Sequence, residues 1–217
     1  MAAKHKKLKL TKKTKKEIQK IVFQSTVCFF AVIGVITTFV FIFKGVSALF
    51  AKKVTEPEVT QDFLTVNSYS RPGIALNQVN GIVIHYTANP GSSAKANRDY
   101  FENLKTTHTT KASSHYVVGL EGEIIWLIPL EEISYASNSR NTDTIAIEVC
   151  HPDETGKFND VTYDKLVNLV AWLCQKYGLS SDSVIRHYDI TGKNCPKYFV
   201  EHEDAWKEFL EDVQDRL

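Results

Sequence analysis

Two histidines and a cysteine carry the clearest chemical signal in this chain. His85 closes an apolar run, Gly81-Ile-Val-Ile-His85-Tyr-Thr-Ala88. His187 and Cys195 share one segment, Arg186-His187-Tyr-Asp-Ile-Thr-Gly-Lys193-Asn-Cys195-Pro196. Two imidazoles and a thiolate are good zinc ligands, and three protein ligands leave a fourth position open to water. That is the composition of a catalytic site rather than a closed structural one. A lone histidine at a strand end is more often a satisfied core residue, and it is the second segment that changes the reading of His85. The two halves lie about a hundred residues apart, so a fold must bring them together.

The elements that would do so can be sketched from pattern. Gly81 to Tyr86 is short, apolar and rich in β-branched residues, which predicts a buried strand with His85 at its end. Asn89-Pro90-Gly91 breaks it, and Ser92 or Ser93 can cap a helix with Tyr100, Phe101 and Leu104 on one side. His115 to Gly119 and Glu123 to Ile128 are strand-like and flank Glu121-Gly122, the composition of a hairpin turn. Thr144 to Val149 alternates as a strand does. Thr162 to Tyr177 predicts a helix with Leu166, Val167, Leu169, Val170, Leu173 and Cys174 on one face, ended by Gly178. Glu203 to Arg216 predicts a last helix through Trp206, Phe209, Leu210 and Val213. The segment from His187 to Pro196 contains Gly192 and Pro196 and reads as a loop, which can gather ligands. The expected fold class is α+β, a mixed α/β arrangement with a central, mostly β sheet flanked by helices.

Four ordered strings resemble one family. They are Ile82-Val-Ile-His85-Tyr-Thr, Ser113-Ser-His115-Tyr-Val-Val, Ile145-Ala-Ile-Glu148-Val, and His187 through Lys193-Asn-Cys195-Pro196. Together they look like the zinc-dependent N-acetylmuramoyl-L-alanine amidases, which are related to phage lysozyme-type amidases and peptidoglycan recognition proteins. The resemblance covers roughly Asp62 to Leu217. It implies that His85, His187 and Cys195 hold one zinc ion. It implies that Glu148 acts on the water and that Lys193 stabilises the oxyanion. General chemistry agrees: zinc lowers the pKa of its water towards about 7, a carboxylate can take the proton, and a lysine offsets charge that appears only in the tetrahedral state. The implied activity is hydrolysis of the amide between N-acetylmuramic acid and L-alanine in peptidoglycan. Two alternatives stay open: a non-hydrolytic peptidoglycan-binding module on the same fold, and a zinc peptidase acting on the stem peptide.

Other positions are less determined. His115 either lines the groove or packs. Family members commonly carry Trp-His-Ala-Gly before the glutamate strand; here the matching stretch is Tyr135-Ala136-Ser137-Asn138, without the histidine. Asn138 and Arg140, in the run through Ser139 and Asn141, are candidates for substrate contact beside His115. Of the four cysteines, Cys28 lies in an apolar run with no lipobox before it. Cys150 and Cys174 either pair or stay as buried thiols, and the second is the expectation.

The N-terminal part bears on where this chemistry happens. The first twenty residues hold nine lysines and one glutamate, a net of +8; the whole chain is +1, which leaves −7 for the remainder. Ile21 to Phe43 has no charged residue. As a helix it would reach about 34 Å, enough for a hydrocarbon core of about 30 Å. The lysine bias predicts residues 1–20 in the cytoplasm, residues 21–43 as a single transmembrane anchor at the cell membrane, 44–61 as a linker and 62–217 as an extracellular amidase domain. A cleaved signal peptide is the competing reading, with Val46-Ser47-Ala48 as the cleavage site, although signal cores run to only about 15 residues. The acidic remainder argues against a nucleic-acid partner; the expected partners are peptidoglycan and the membrane.

Overall fold

The computed structural model of the chain describes residues 12–50 and 53–217. It divides into two units, Met1–Ala51 and Lys52–Leu217. In the first, the described residues form one helix, α1 (Lys12–Phe50). Within it, Thr14–Phe39 is long and apolar enough to cross a membrane, with a mean hydropathy of 2.0 in its most apolar stretch. Phe23, Phe30, Val35 and Phe39 stand exposed along it. Its threonines do not present free hydroxyls: Thr26 donates to the Val22 carbonyl at 2.8 Å and Thr38 to that of Gly34 at 2.8 Å. Such back-bonding satisfies the hydroxyls within the helix. The helix runs past Lys44 to Phe50, so the first part of the expected linker is helical; no proline interrupts the backbone before Pro57. Residues 1–11 of the basic tail lie outside the described residues, as does the Cys28 side chain.

The second unit follows the order β1 (Thr60–Gln61), β2 (Gly81–Tyr86), α2 (Ala94–Thr107), β3 (Tyr116–Val118), β4 (Ile124–Trp126), β5 (Thr144–Val149), α3 (Asp160–Tyr177), β6 (Val184–Arg186), α4 (His187–Thr191), α5 (Lys197–Glu201) and α6 (Glu203–Arg216). The strands form one sheet in the order β1-β4-β3-β5-β2-β6. Four of its five pairings are parallel, and β3 with β4 is the antiparallel exception. That pair is the expected hairpin, turned at Gly122 with φ +79°, where a side chain would run into Val161 and Lys165. The expectation of a mixed fold with a central sheet holds, with parallel pairing dominant.

Alternation along the strands sends side chains to two faces. Ile82 and Ile84 of β2, with Ile145 and Ile147 of β5, join Leu166, Leu169, Val170 and Leu173 of α3 and Phe209 and Val213 of α6 in the larger core. Val117 and Ile125 face the other way, onto Phe101 and Leu104 of α2. Truncating a side chain as enclosed as Leu169 costs about 2 to 5 kcal/mol. Helix α3 starts at Asn159, whose side-chain oxygen accepts the Thr162 N–H at 2.9 Å, and stops at Gly178 in the left-handed region, φ +66°.

Three expectations need correction. Tyr100 is exposed, at 51 %; the buried stripe of α2 is Ala94, Asn97, Phe101 and Leu104. The polar stretch before Asp62 is not a free tether. Val54 is 3 % exposed in the larger core, its N–H donates to Gln175 Oε1 at 3.0 Å, and β1 joins the sheet beside β4. Its buried residues are too sparse to show a periodicity. Finally, the segment from His187 is not wholly loop, since α4 occupies its first half. Cys150 and Cys174 are free and buried on opposite faces of the sheet, as unpaired thiols.

Candidate metal centre

The site is assembled where β5, β2 and β6 end. These three strands are adjacent and parallel, so their C-terminal ends open on one side, the usual place for a site on a parallel sheet. Register pairs His85 with Glu148 and Ile84 with Arg186. His85 and Glu148 therefore project from the same face, opposite the isoleucines, and His187 leaves β6 one residue beyond Arg186. Helix α4 begins with the Arg186 N–H donating to Asp189 Oδ2 at 2.8 Å. It ends at Gly192, φ +74°, and the chain doubles back. The Tyr188 N–H then donates to the Cys195 carbonyl at 2.9 Å and the Cys195 N–H to that of Lys193 at 2.7 Å. The return brings Cys195 beside His187. Arg186 secures this segment from below. It pairs with Asp189 at 2.9 Å, with Glu203 at 2.6 Å, and donates to the Phe199 carbonyl at 3.0 Å.

One ligand atom from each of His85, His187 and Cys195 lies within 4.8 Å of the others, and all three residues are buried. Cys195 Sγ is 3.9 Å from His85 Nδ1, and the imidazole centroids are 4.6 Å apart. A tetrahedral zinc with bonds of about 2.0 Å to nitrogen and 2.3 Å to sulfur sets those donors roughly 3.6 Å apart. Burial holds both imidazoles below their usual range, with Lys193 adding to the effect, so each keeps a lone pair. Burial also pushes the Cys195 thiol up to about 12, against the pull of the Tyr86 backbone N–H and Lys193. A thiolate there needs a cation to compensate it. The donor set fits a divalent, borderline-soft metal.

Glu148 lies beside them. Its Oε2 is out of solvent with no hydrogen-bond partner. Burial pushes its carboxyl up to about 8, and Lys193 pulls the other way. Lys193 itself is exposed, yet its charge bears on His85, His187, Cys195 and Glu148 alike.

The remaining candidates divide. Asn138 is brought in: its Oδ1 accepts from His187 Nε2 at 2.9 Å. Arg140 is not. Its Nε donates to Asp143 at 2.8 Å, and its guanidinium sits over Gly81, at the far end of β2 from His85. His115 is fully buried, with Nδ1 accepting the Ala146 N–H at 3.0 Å and Nε2 donating to the Glu132 carbonyl at 2.9 Å. Both ring nitrogens serve backbone, which is the packing alternative, and no face of the ring reaches a groove. Ser137, a residue whose type and place in the sequence did not single it out, puts its hydroxyl 3.3 Å from His85 Nε2.

A buried two-histidine, one-cysteine cluster at the ends of parallel strands, with a carboxylate at hand, defines a candidate metal centre of the hydrolase kind. Comparison with known proteins gives it a family. The family model described as N-acetylmuramoyl-L-alanine amidase matches residues 75–198, more than half of the chain, and the chain belongs to that family. It is 38% identical over 173 residues to N-acetylmuramoyl-L-alanine amidase CwlL of Bacillus licheniformis, covering 74% of this chain and 48% of the relative. It is 34% identical over 179 residues to the amidase BlyA of Bacillus subtilis (strain 168), covering 73% and 47%. The chain thus spans about half the length of these relatives. Among solved structures it is similar to the catalytic domain of XlyA, with a TM-score of 0.61 and 28% identity over 72% of this chain and 99% of that one.

Proposed function

We propose that this chain is a membrane-anchored, zinc-dependent amidase that hydrolyses the bond between the lactyl group of N-acetylmuramic acid and L-alanine in peptidoglycan. The observation that carries it is the convergence of His85, His187 and Cys195 within 4.8 Å, next to an unanswered buried oxygen of Glu148. Membership of the amidase family supports the substrate. His85, His187 and Cys195 would hold one zinc ion, which when bound supplies a Lewis acid and acidifies water.

The rest of the chemistry belongs to the chain. Glu148 takes a proton from the attacking water and returns it to the leaving amine of L-alanine. Its fixed place on β5 leaves its carboxylate little to reorganise. Lys193 stands exposed at the rim and offsets the negative charge that grows on the former carbonyl oxygen. Asn138 touches a metal-ligand histidine and borders a hollow with Lys111, Tyr135, Ala136 and Asn141, where the peptide can lie. Arg140 is left out because Asp143 holds it. The exposed apolar flank of α1 supports an anchor, with the domain on the outer side, where peptidoglycan is.

Product analysis tests the reading. The full chain in detergent, given zinc and purified peptidoglycan, is expected to release peptides with a free N-terminal L-alanine and glycans with free lactyl carboxyls. Cleavage inside the stem peptide would make it a peptidase. Retention on the polymer with no product would make it a binding module.

A further inference from the structure

We propose that Ser137 and Asn138 are positioning residues that fix the tautomer and the aim of the two histidines from one turn. Ser137 is 1 % exposed, and its hydroxyl sits 3.3 Å from His85 Nε2. The next side chain, Asn138, places its Oδ1 2.9 Å from His187 Nε2. A carboxamide oxygen only accepts, so His187 Nε2 carries the proton and Nδ1 keeps the lone pair. The matching division on His85 has the Cys195 S–H donating to Nδ1, 3.9 Å away, and Nε2 donating to the Ser137 hydroxyl. Two adjacent residues thus hold Nε2 of both rings, and on His85 the other nitrogen faces the cysteine.

The turn is built for this task. Successive side chains can reach two rings side by side only if the backbone bends sharply between them. Asn138 supplies the bend, with φ +51° in the left-handed region, which asparagine tolerates better than most residues. Asn141 braces it: its Oδ1 accepts both the Ala136 N–H, at 3.1 Å, and the Ser137 N–H, at 2.6 Å. The Arg140 N–H closes onto the Ser137 carbonyl at 2.9 Å. Groups that bind the far nitrogen of a ligating histidine orient the ring and raise its basicity, and losing them typically costs roughly 10- to 100-fold in metal affinity.

The proposal rests on the zinc reading for one of its two readouts, and the other needs no metal. In the metal-free full chain in detergent, long-range nitrogen–proton spectra of the neutral imidazole form are expected to place the ring proton of both histidines on Nε2. Ser137→Ala should shift His85 alone towards the Nδ1–H form, and Asn138→Gly, which keeps the left-handed turn, should shift His187 alone. Competition against a chromophoric chelator should then show zinc bound roughly 10- to 100-fold more weakly by each variant. Ser137→Thr and Asn138→Asp, which retain the oxygen, should stay near wild type. An unchanged thermal midpoint separates positioning from unfolding. Nδ1–H rings in the wild type, or tautomers indifferent to both substitutions, overturn the proposal whatever the zinc result. If the tautomers behave as stated and the wild type takes up no zinc, the metal reading fails and the assignment of the turn stands.

Discussion

Glu148 has one carboxylate oxygen buried beside three metal-type ligands with nothing to answer it. Such a group costs stability, and a role in proton transfer accounts for its presence. Glu148→Gln is expected to keep zinc binding and lose about 10²- to 10⁴-fold in kcat, with KM little changed, by steady-state assay on a muramoyl-peptide. Lys193→Ala should lose on the order of 10²-fold; near-full turnover in either variant would remove that residue from the mechanism. His115 makes the contrasting prediction. Burial brings its pKa from 6.5 to about 4, whereas the unfolded chain takes up that proton near the ordinary value. As pH falls from about 6.5 to about 4 the unfolded state binds more protons and stability drops, by about 3 kcal/mol, and below that the term is exhausted. Denaturant unfolding of His115→Gln across this window should show a shallower acid limb, and kcat near wild type. A large loss of kcat with unchanged stability would return His115 to the groove. Residue types alone marked His85, His187 and Cys195 as a ligand set, whereas Glu148 was singled out through the family resemblance. The work of Ser137 was not legible, since a serine hydroxyl acquires meaning only from the ring it meets.

At the scale of elements, the periodic segments and the β3–β4 hairpin were readable, and β6 and α4 were not. β2 and β5 fall on the bounds their patterns predict, Gly81–Tyr86 and Thr144–Val149, and α6 on Glu203–Arg216. Each holds enough residues for its period to emerge. β6 has three residues and α4 five, too few for a pattern, and both are fixed by what they touch. That pair includes the element that carries His187. Arg186 joins them: its guanidinium binds Asp189, Glu203 and the Phe199 carbonyl and lies 5.3 Å from the Trp206 ring. Arg186→Ala takes this donor from Glu203 and from the Phe199 carbonyl, and leaves Asp189 only the backbone N–H of residue 186. A loss of roughly 2 to 4 kcal/mol in chemical denaturation is expected, discounted for the exposure of Glu203, together with weaker zinc binding because α4 loses its hold. Arg186→Lys should recover little, as one ammonium cannot serve the same fork. Equal stability of Arg186→Ala and wild type would mean that α4 is held by its own backbone bonds.

The whole molecule joins a basic, apolar N-terminal unit to an acidic one, a division legible from charge and hydropathy alone. Where the second unit starts was not, because Val54 enters its core from a stretch of polar composition. The proposed arrangement has the lysines inside and the amidase domain outside. A reporter fused after Leu217 should be active outside the cell and one fused before Met1 inside. A secreted mature chain starting near Leu49 would instead make α1 a signal segment. The proposed hydrolysis depends on His85, His187 and Cys195 holding zinc, and a metal titration tests that most directly. Zinc is stripped from the full chain with a chelator and returned in known portions while muramoyl–L-alanine hydrolysis is followed. The expected curve starts at no turnover, rises linearly and breaks at about one zinc per chain, and Cys195→Ala gives no break. Full turnover in the stripped chain, or the same break in a His85→Ala, Cys195→Ala double variant, would contradict it.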